Sequence, residues 1–124
     1  MKVFTALLAG VMTASFLSTP AIAQLSFPQR VGQNMCWYMS KGWDALRAMQ
    51  MAINPAMLIN EQKGTIPGYV TQNAMYITRD IKSYQGRQKE LMRDIAPTAL
   101  TLCGGRMSPN EYKVFQMFER GEQP

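Results

Sequence analysis

The residues that could do chemistry in this chain are few. Two cysteines, Cys36 and Cys103, stand far apart, and the sequence contains no histidine. Without imidazole the commonest general base is missing, and a thiol nucleophile has no base to activate it. The same absence argues against the cysteines as a metal pair, because a zinc site wants about four ligands. The carboxylates Asp44, Asp80, Glu90 and Asp94 fall on polar helix faces beside lysine or arginine. Asp80 has Arg79 and Lys82 for neighbours, and Glu90 and Asp94 lie one turn apart near Arg87 and Arg93. Ordinary surface ion pairs explain that pattern. The expectation is a protein that is no enzyme, with no catalytic residue, no cofactor and no bound metal.

Sulfur and aromatic rings are the more unusual resources. The chain has 11 methionines, and Met35, Met39, Met49, Met51 and Met57 crowd one stretch. A thioether site for cuprous copper would use such residues, since soft ligands select Cu(I). Methionine also fills irregular core space or lines adaptable binding surfaces. Met35, Met39 and Met49 fall on a packing seam, which favours the core. Trp37, Tyr38 and Trp43 flank that seam, with Tyr69, Tyr76 and Tyr84 further on. Tryptophan and tyrosine are enriched where one end of the ring is buried and the other hydrogen-bonded. Trp37, Tyr38 and Trp43 are accordingly a candidate partner surface, with cover for a thin core as the rival reading.

The amino terminus sets the compartment in which these residues work. Lys2 precedes an uncharged apolar run from Val3 to Leu17, and Pro20 stands before Ala21-Ile22-Ala23. This is the order of a secretory signal peptide with an A-x-A cleavage site. The run is shorter than the roughly 20 apolar residues of a membrane span. Residues 1–23 are expected to be removed after Ala23, leaving 101 of the 124 residues as a single small helical domain over 24–124. The short basic region points to a bacterial envelope, so the product is expected in the periplasm or the medium. There, two cysteines most simply form one disulfide. Two free thiols are the alternative.

Removing Lys2 lowers the formal charge from +5 by one, to +4. The basic residues are scattered singly, and the densest group, Arg87, Lys89 and Arg93, is interrupted by Glu90 and Asp94. A nucleic-acid groove would show a stripe of one sign, so no nucleic-acid partner is expected. A weak attraction to anionic membrane surfaces is compatible with this charge.

The elements that must position these residues are helices. After an extended lead-in over 24–30, Met35, Met39, Gly42, Leu46, Met49 and Ile53 step by four and three, the seam of a helix packed on a helix. One helix over about 31–53 follows. Asn54-Pro55 then starts a new turn or a kinked continuation to Lys63, stopped by Gly64. Thr65-Ile66-Pro67-Gly68 is a turn. A second seam runs from Val70 through Ile77, Ile81, Tyr84, Leu91 and Ile95 to Leu102, weakened at Gly86 and kinked at Pro97. Ser108-Pro109-Asn110-Glu111 is a capping box that opens a last helix to about Arg120, with 121–124 a frayed tail.

The expected fold is all-α: a long antiparallel helical hairpin with the C-terminal helix packed back on it. A disulfide between Cys36 and Cys103 closes the open end. A break at Gly86 would instead give three spans and leave the cysteines at opposite ends. The layout of leader, helices and one long-range disulfide is shared by periplasmic chaperones, immunity proteins and secretion accessories, an analogy of architecture. It suggests a non-enzymatic binder of another envelope or secreted protein, as inhibitor, immunity factor, chaperone or assembly accessory. The alternative is a membrane-surface-active small basic helical protein, supported by the net charge and the aromatic first helix.

Overall fold

The computed structural model describes residues 24–56 and 65–124, which form helices and, among the described residues, no strand. The proposed leader at 1–23, Met57 and the stretch leading to Gly64 lie outside the described residues.

Helix α1 spans Phe27–Ser40. The Ser26 hydroxyl accepts a hydrogen bond from the Gln29 amide at 3.3 Å, and Gln29 Oε1 accepts one from the Ser26 amide at 2.9 Å. This capping box, with a proline in the first turn, satisfies orphan N–H groups of the helix start. The extended lead-in over 24–30 is therefore corrected: the helix begins inside it. Helix α1 stops at Gly42, whose φ of +101° is left-handed and whose N–H reaches the Met39 carbonyl at 3.0 Å. That is how helices end on glycine. Asp44 then caps α2, Ala45–Ile53, by accepting from the Arg47 amide at 2.9 Å. The single helix expected over 31–53 is thus two, because Gly42 is a terminator and not a seam position.

Pro67 precedes α3, Gly68–Asp80, which tightens into a 3₁₀ turn at Ile81–Tyr84. Gly86, at φ +78°, separates it from α4, Gln88–Cys103, which runs on through Pro97. After a 3₁₀ turn at Gly104–Arg106 comes α5, Pro109–Glu119, opened by the expected Ser108–Glu111 capping box. Both arms of the anticipated hairpin are interrupted, so two uninterrupted rods are not present.

Helix α1 occupies the centre, packed against α2, α3 and α4, and α5 packs on α4. One apolar cluster unites them: Val31 and Met35 of α1, Met51 of α2, Ile77 of α3, Ile95 of α4 and Phe115 of α5 are all buried. Gly32 lets α4 approach α1 closely, since a Cβ there would stand 2.9 Å from Thr98 Cγ2. Between α1 and α3 a buried amide network replaces apolar packing. Asn34 Nδ2 donates to the Val70 carbonyl at 3.0 Å, and Asn73 Nδ2 donates to Asn34 Oδ1 at 3.0 Å and Gln33 Oε1 at 2.9 Å. Such a network favours one register, because a slip of α3 along α1 would break these buried hydrogen bonds.

Cys36 of α1 and Cys103, the last residue of α4, form the disulfide, with Cα atoms 5.7 Å apart. A break at Gly86 does not separate them as three straight spans would. The additional break at Gly42 folds α2 against α1, and α4 lies directly along α1. Closing a loop of 67 residues in sequence stabilises by about 4 kcal/mol in the chain-entropy account.

Candidate functional site

Most of the residues singled out for chemistry are committed to holding the fold. Asp44 caps α2. Asp94 accepts a 2.6 Å hydrogen bond from the Tyr84 hydroxyl. Burial, and then this bond to a carboxylate, push the Tyr84 phenol up to about 12. The Tyr84 ring also stacks on Phe27 with centroids 5.1 Å apart, so it ties the start of α1 to α4. Glu111 does two jobs: Oε1 accepts from the Ser108 amide at 2.8 Å and Oε2 from the Ala45 amide at 2.7 Å. One carboxylate thus serves the N-termini of α5 and α2 together, where negative charge is favoured. Among the described residues no three Cys, Asp or Glu side chains gather as a metal-binding group.

Met35, Met49 and Met51 are buried in the apolar cluster, and Met39 packs against it half-buried. Trp37 and Tyr38 are buried as well, ring against ring at 5.2 Å. As members of a partner surface they are corrected, because their rings belong to the core. Trp43 alone of the three reaches the rim, half-buried, with the Arg47 guanidinium 5.3 Å from its ring.

The most exposed large apolar side chain among the described residues, Met75, lies instead on α3. Its inward positions, Val70, Asn73, Ala74 and Ile77, recur at helical spacing and face the core. Gln72, Met75 and Arg79 consequently face away. Met75 is 68% exposed and Tyr69 41%, both large apolar side chains in water. A groove along this face has Thr71, Gln72, Met75, Tyr76 and Arg79 in its wall. Thr71 and Met75 also border a second depression that reaches Ile53, Pro55 and Ile81. Tyr76 lies between two guanidinium groups, Arg30 at 3.9 Å and Arg79 at 4.9 Å from its ring centroid. Cation–π contact of this kind holds the ring in place. Arg79 in turn forks onto Asp80 at 2.7 and 3.1 Å, and that hydrogen-bonded guanidinium holds the Asp80 carboxyl below the usual range. The local charge of Arg79 is therefore balanced on its own helix.

Tyrosine, methionine and arginine are the residue types enriched at protein interfaces, and α3 presents all three on one face. Sequence reasoning overlooked Met75, yet a signal was there. The seam through Val70, Ala74 and Ile77 leaves position 75 on the solvent side, where a methionine is out of pattern. Among the described residues no helix is long and apolar enough to cross a membrane. The chain matches no protein-family model, no curated protein and no solved structure.

Proposed function

We propose that this chain is an exported, non-enzymatic helical protein of the cell envelope that binds another envelope or secreted protein through the outward face of α3. The observation that carries this reading is Met75, a large thioether 68% exposed beside Tyr76 and Arg79. Hot spots at interfaces are rigid, amphipathic anchors, and Tyr76 is already held by its two guanidinium neighbours. The covalent tie between α1 and α4 supports export, because disulfides persist in oxidising compartments. Export itself predicts a mature chain beginning at Gln24, checked by N-terminal sequencing of protein recovered outside the cytoplasm.

A membrane-surface helix would pair its apolar face with a dense lysine and arginine face. On α3 the arginine at 79 is neutralised by Asp80, which favours a protein partner. The test is affinity capture from envelope extract with the mature protein, with Met75→Asp, and with Lys113→Asp as an exposed control on α5. A discrete protein retained by wild type and control but reduced at least about tenfold by Met75→Asp, the loss of one anchor, supports the reading. Equal retention by all three refutes the surface. Binding only to anionic vesicles, abolished by salt, establishes the membrane alternative instead.

A further inference from the structure

We infer that the disulfide has a single chemical entrance, Cys36, at which a thiol-bearing molecule attacks and forms its mixed disulfide. The two sulfur-bearing residues differ in setting. Cys103 is 3% exposed at the end of α4, whereas Cys36 is half-buried and opens on a groove walled by Gln33, Tyr69 and Leu102. Exchange proceeds by thiolate attack on one sulfur of the disulfide, so which sulfur is approachable decides the product. Only Cys36 offers that approach.

The surroundings suit an incoming thiolate. Arg106 donates from Nη1 to the Cys36 carbonyl at 3.2 Å, which keeps a guanidinium beside the cysteine. That exposed guanidinium lies at the mouth of the groove and gives an approaching anionic thiol carrier a positive charge to meet. Leu102, 50% exposed, and Tyr69 form an apolar lip against which the carrier of the thiol can rest. In the step, the thiolate bonds to Cys36 Sγ, the Cys36–Cys103 bond breaks, and Cys103 leaves as a thiolate that takes a proton from water. A second thiol of a dithiol carrier then attacks the mixed disulfide and releases Cys36 as a thiol, so the carrier is oxidised by two electrons and the protein reduced. Run backwards, a disulfide carrier installs the native bond, with Cys36 thiolate attacking first and Cys103 resolving. The class of partner is a dithiol or disulfide carrier, and the site is the groove at Cys36.

The test uses the intact oxidised protein and glutathione as the probe, in excess at mildly alkaline pH. Samples are quenched in acid over time, and the glutathionyl adduct is mapped by peptide mass spectrometry. The expected result is adduct on Cys36 over Cys103 by at least about tenfold, in keeping with access-controlled exchange. The same reaction in guanidinium should bring the ratio near one. Adduct on Cys103, equal labelling of the folded protein, no adduct until the protein unfolds, or a preference that persists in guanidinium would each overturn the inference.

Discussion

Replacing Gly32 with alanine sets two effects of known size against each other. In an ordinary helix interior, Gly→Ala stabilises by about 1 kcal/mol through helix propensity. At this position the new Cβ would stand 2.9 Å from Thr98 Cγ2 and 3.1 Å from Leu102 Cδ1. Leu102 is half exposed, so its methyl can swing outward at little cost. Thr98 cannot do the same, because a β-branched side chain on a helix is stiff at χ1. Forcing a methyl group into a packed contact costs about 1–3 kcal/mol. The sum is a net destabilisation of about 1 kcal/mol, or roughly 4–8 °C in Tm for a domain of this size. Trimming the obstacle should reverse the sign: Gly32→Ala made in a Thr98→Ser background should stabilise by about 0.5–1 kcal/mol through the released propensity. Urea unfolding of the four proteins closes a double-mutant cycle whose coupling should be about 2 kcal/mol. Gly32→Ala that stabilises on its own, with no coupling to Thr98, would refute the close approach of α1 and α4.

Three further outcomes follow from the same contacts. Glu111→Gln keeps one acceptor for two amide donors and should cost about 2 kcal/mol, near 10 °C in Tm; a loss no larger than that of the exposed Glu119→Gln would contradict its bridging role. Tyr84→Phe should cost about 1 kcal/mol at pH 9 through the lost bond to Asp94. The folded phenol titrates at about 12 against an ordinary value of 10.0, so its contribution is complete below pH 10 and declines as pH rises towards 12. The stability gap between wild type and Tyr84→Phe should therefore narrow between pH 9 and pH 11.5, and a constant gap would remove the assignment. Met75→Asp should leave Tm within a few degrees, as exposed substitutions change stability by about 0.5 kcal/mol or less. Ile77→Ala, two residues on and fully buried, should cost about 3 kcal/mol. Similar losses from both would mean that α3 does not present the face described.

How far the sequence could be read depended on which interactions are local. The Ser108–Glu111 box was legible because its four residues carry the whole signal. The equivalent box at Ser26–Gln29 carries the same signal, with Pro28 in the first turn, but the Phe27-Pro28 pair reads as extended chain when the cap is not sought. The disulfide was legible from the expected compartment and the cysteine number. Gly42 was misread because a glycine can occupy a seam position without breaking the apolar period, and only Asp44 three places before Arg47 announces a new helix start. Whether Trp37 and Tyr38 face a partner or the core depends on how α1 is surrounded. With α2, α3 and α4 all packed on it, α1 has little outward face, a fact of tertiary packing that no period in the sequence reports. The Asn34–Asn73 network and the reach of Glu111 to Ala45 join residues distant along the chain and leave no local trace.

The α3 docking face is tested most directly by placing a photoreactive benzophenone side chain at position 75 and, separately, at position 113 in protein expressed in its own cells. Irradiation should give one discrete protein adduct from position 75 that position 113 does not form. Equal adducts from both positions, or lipid adducts alone from position 75, would contradict a protein-binding role for this face.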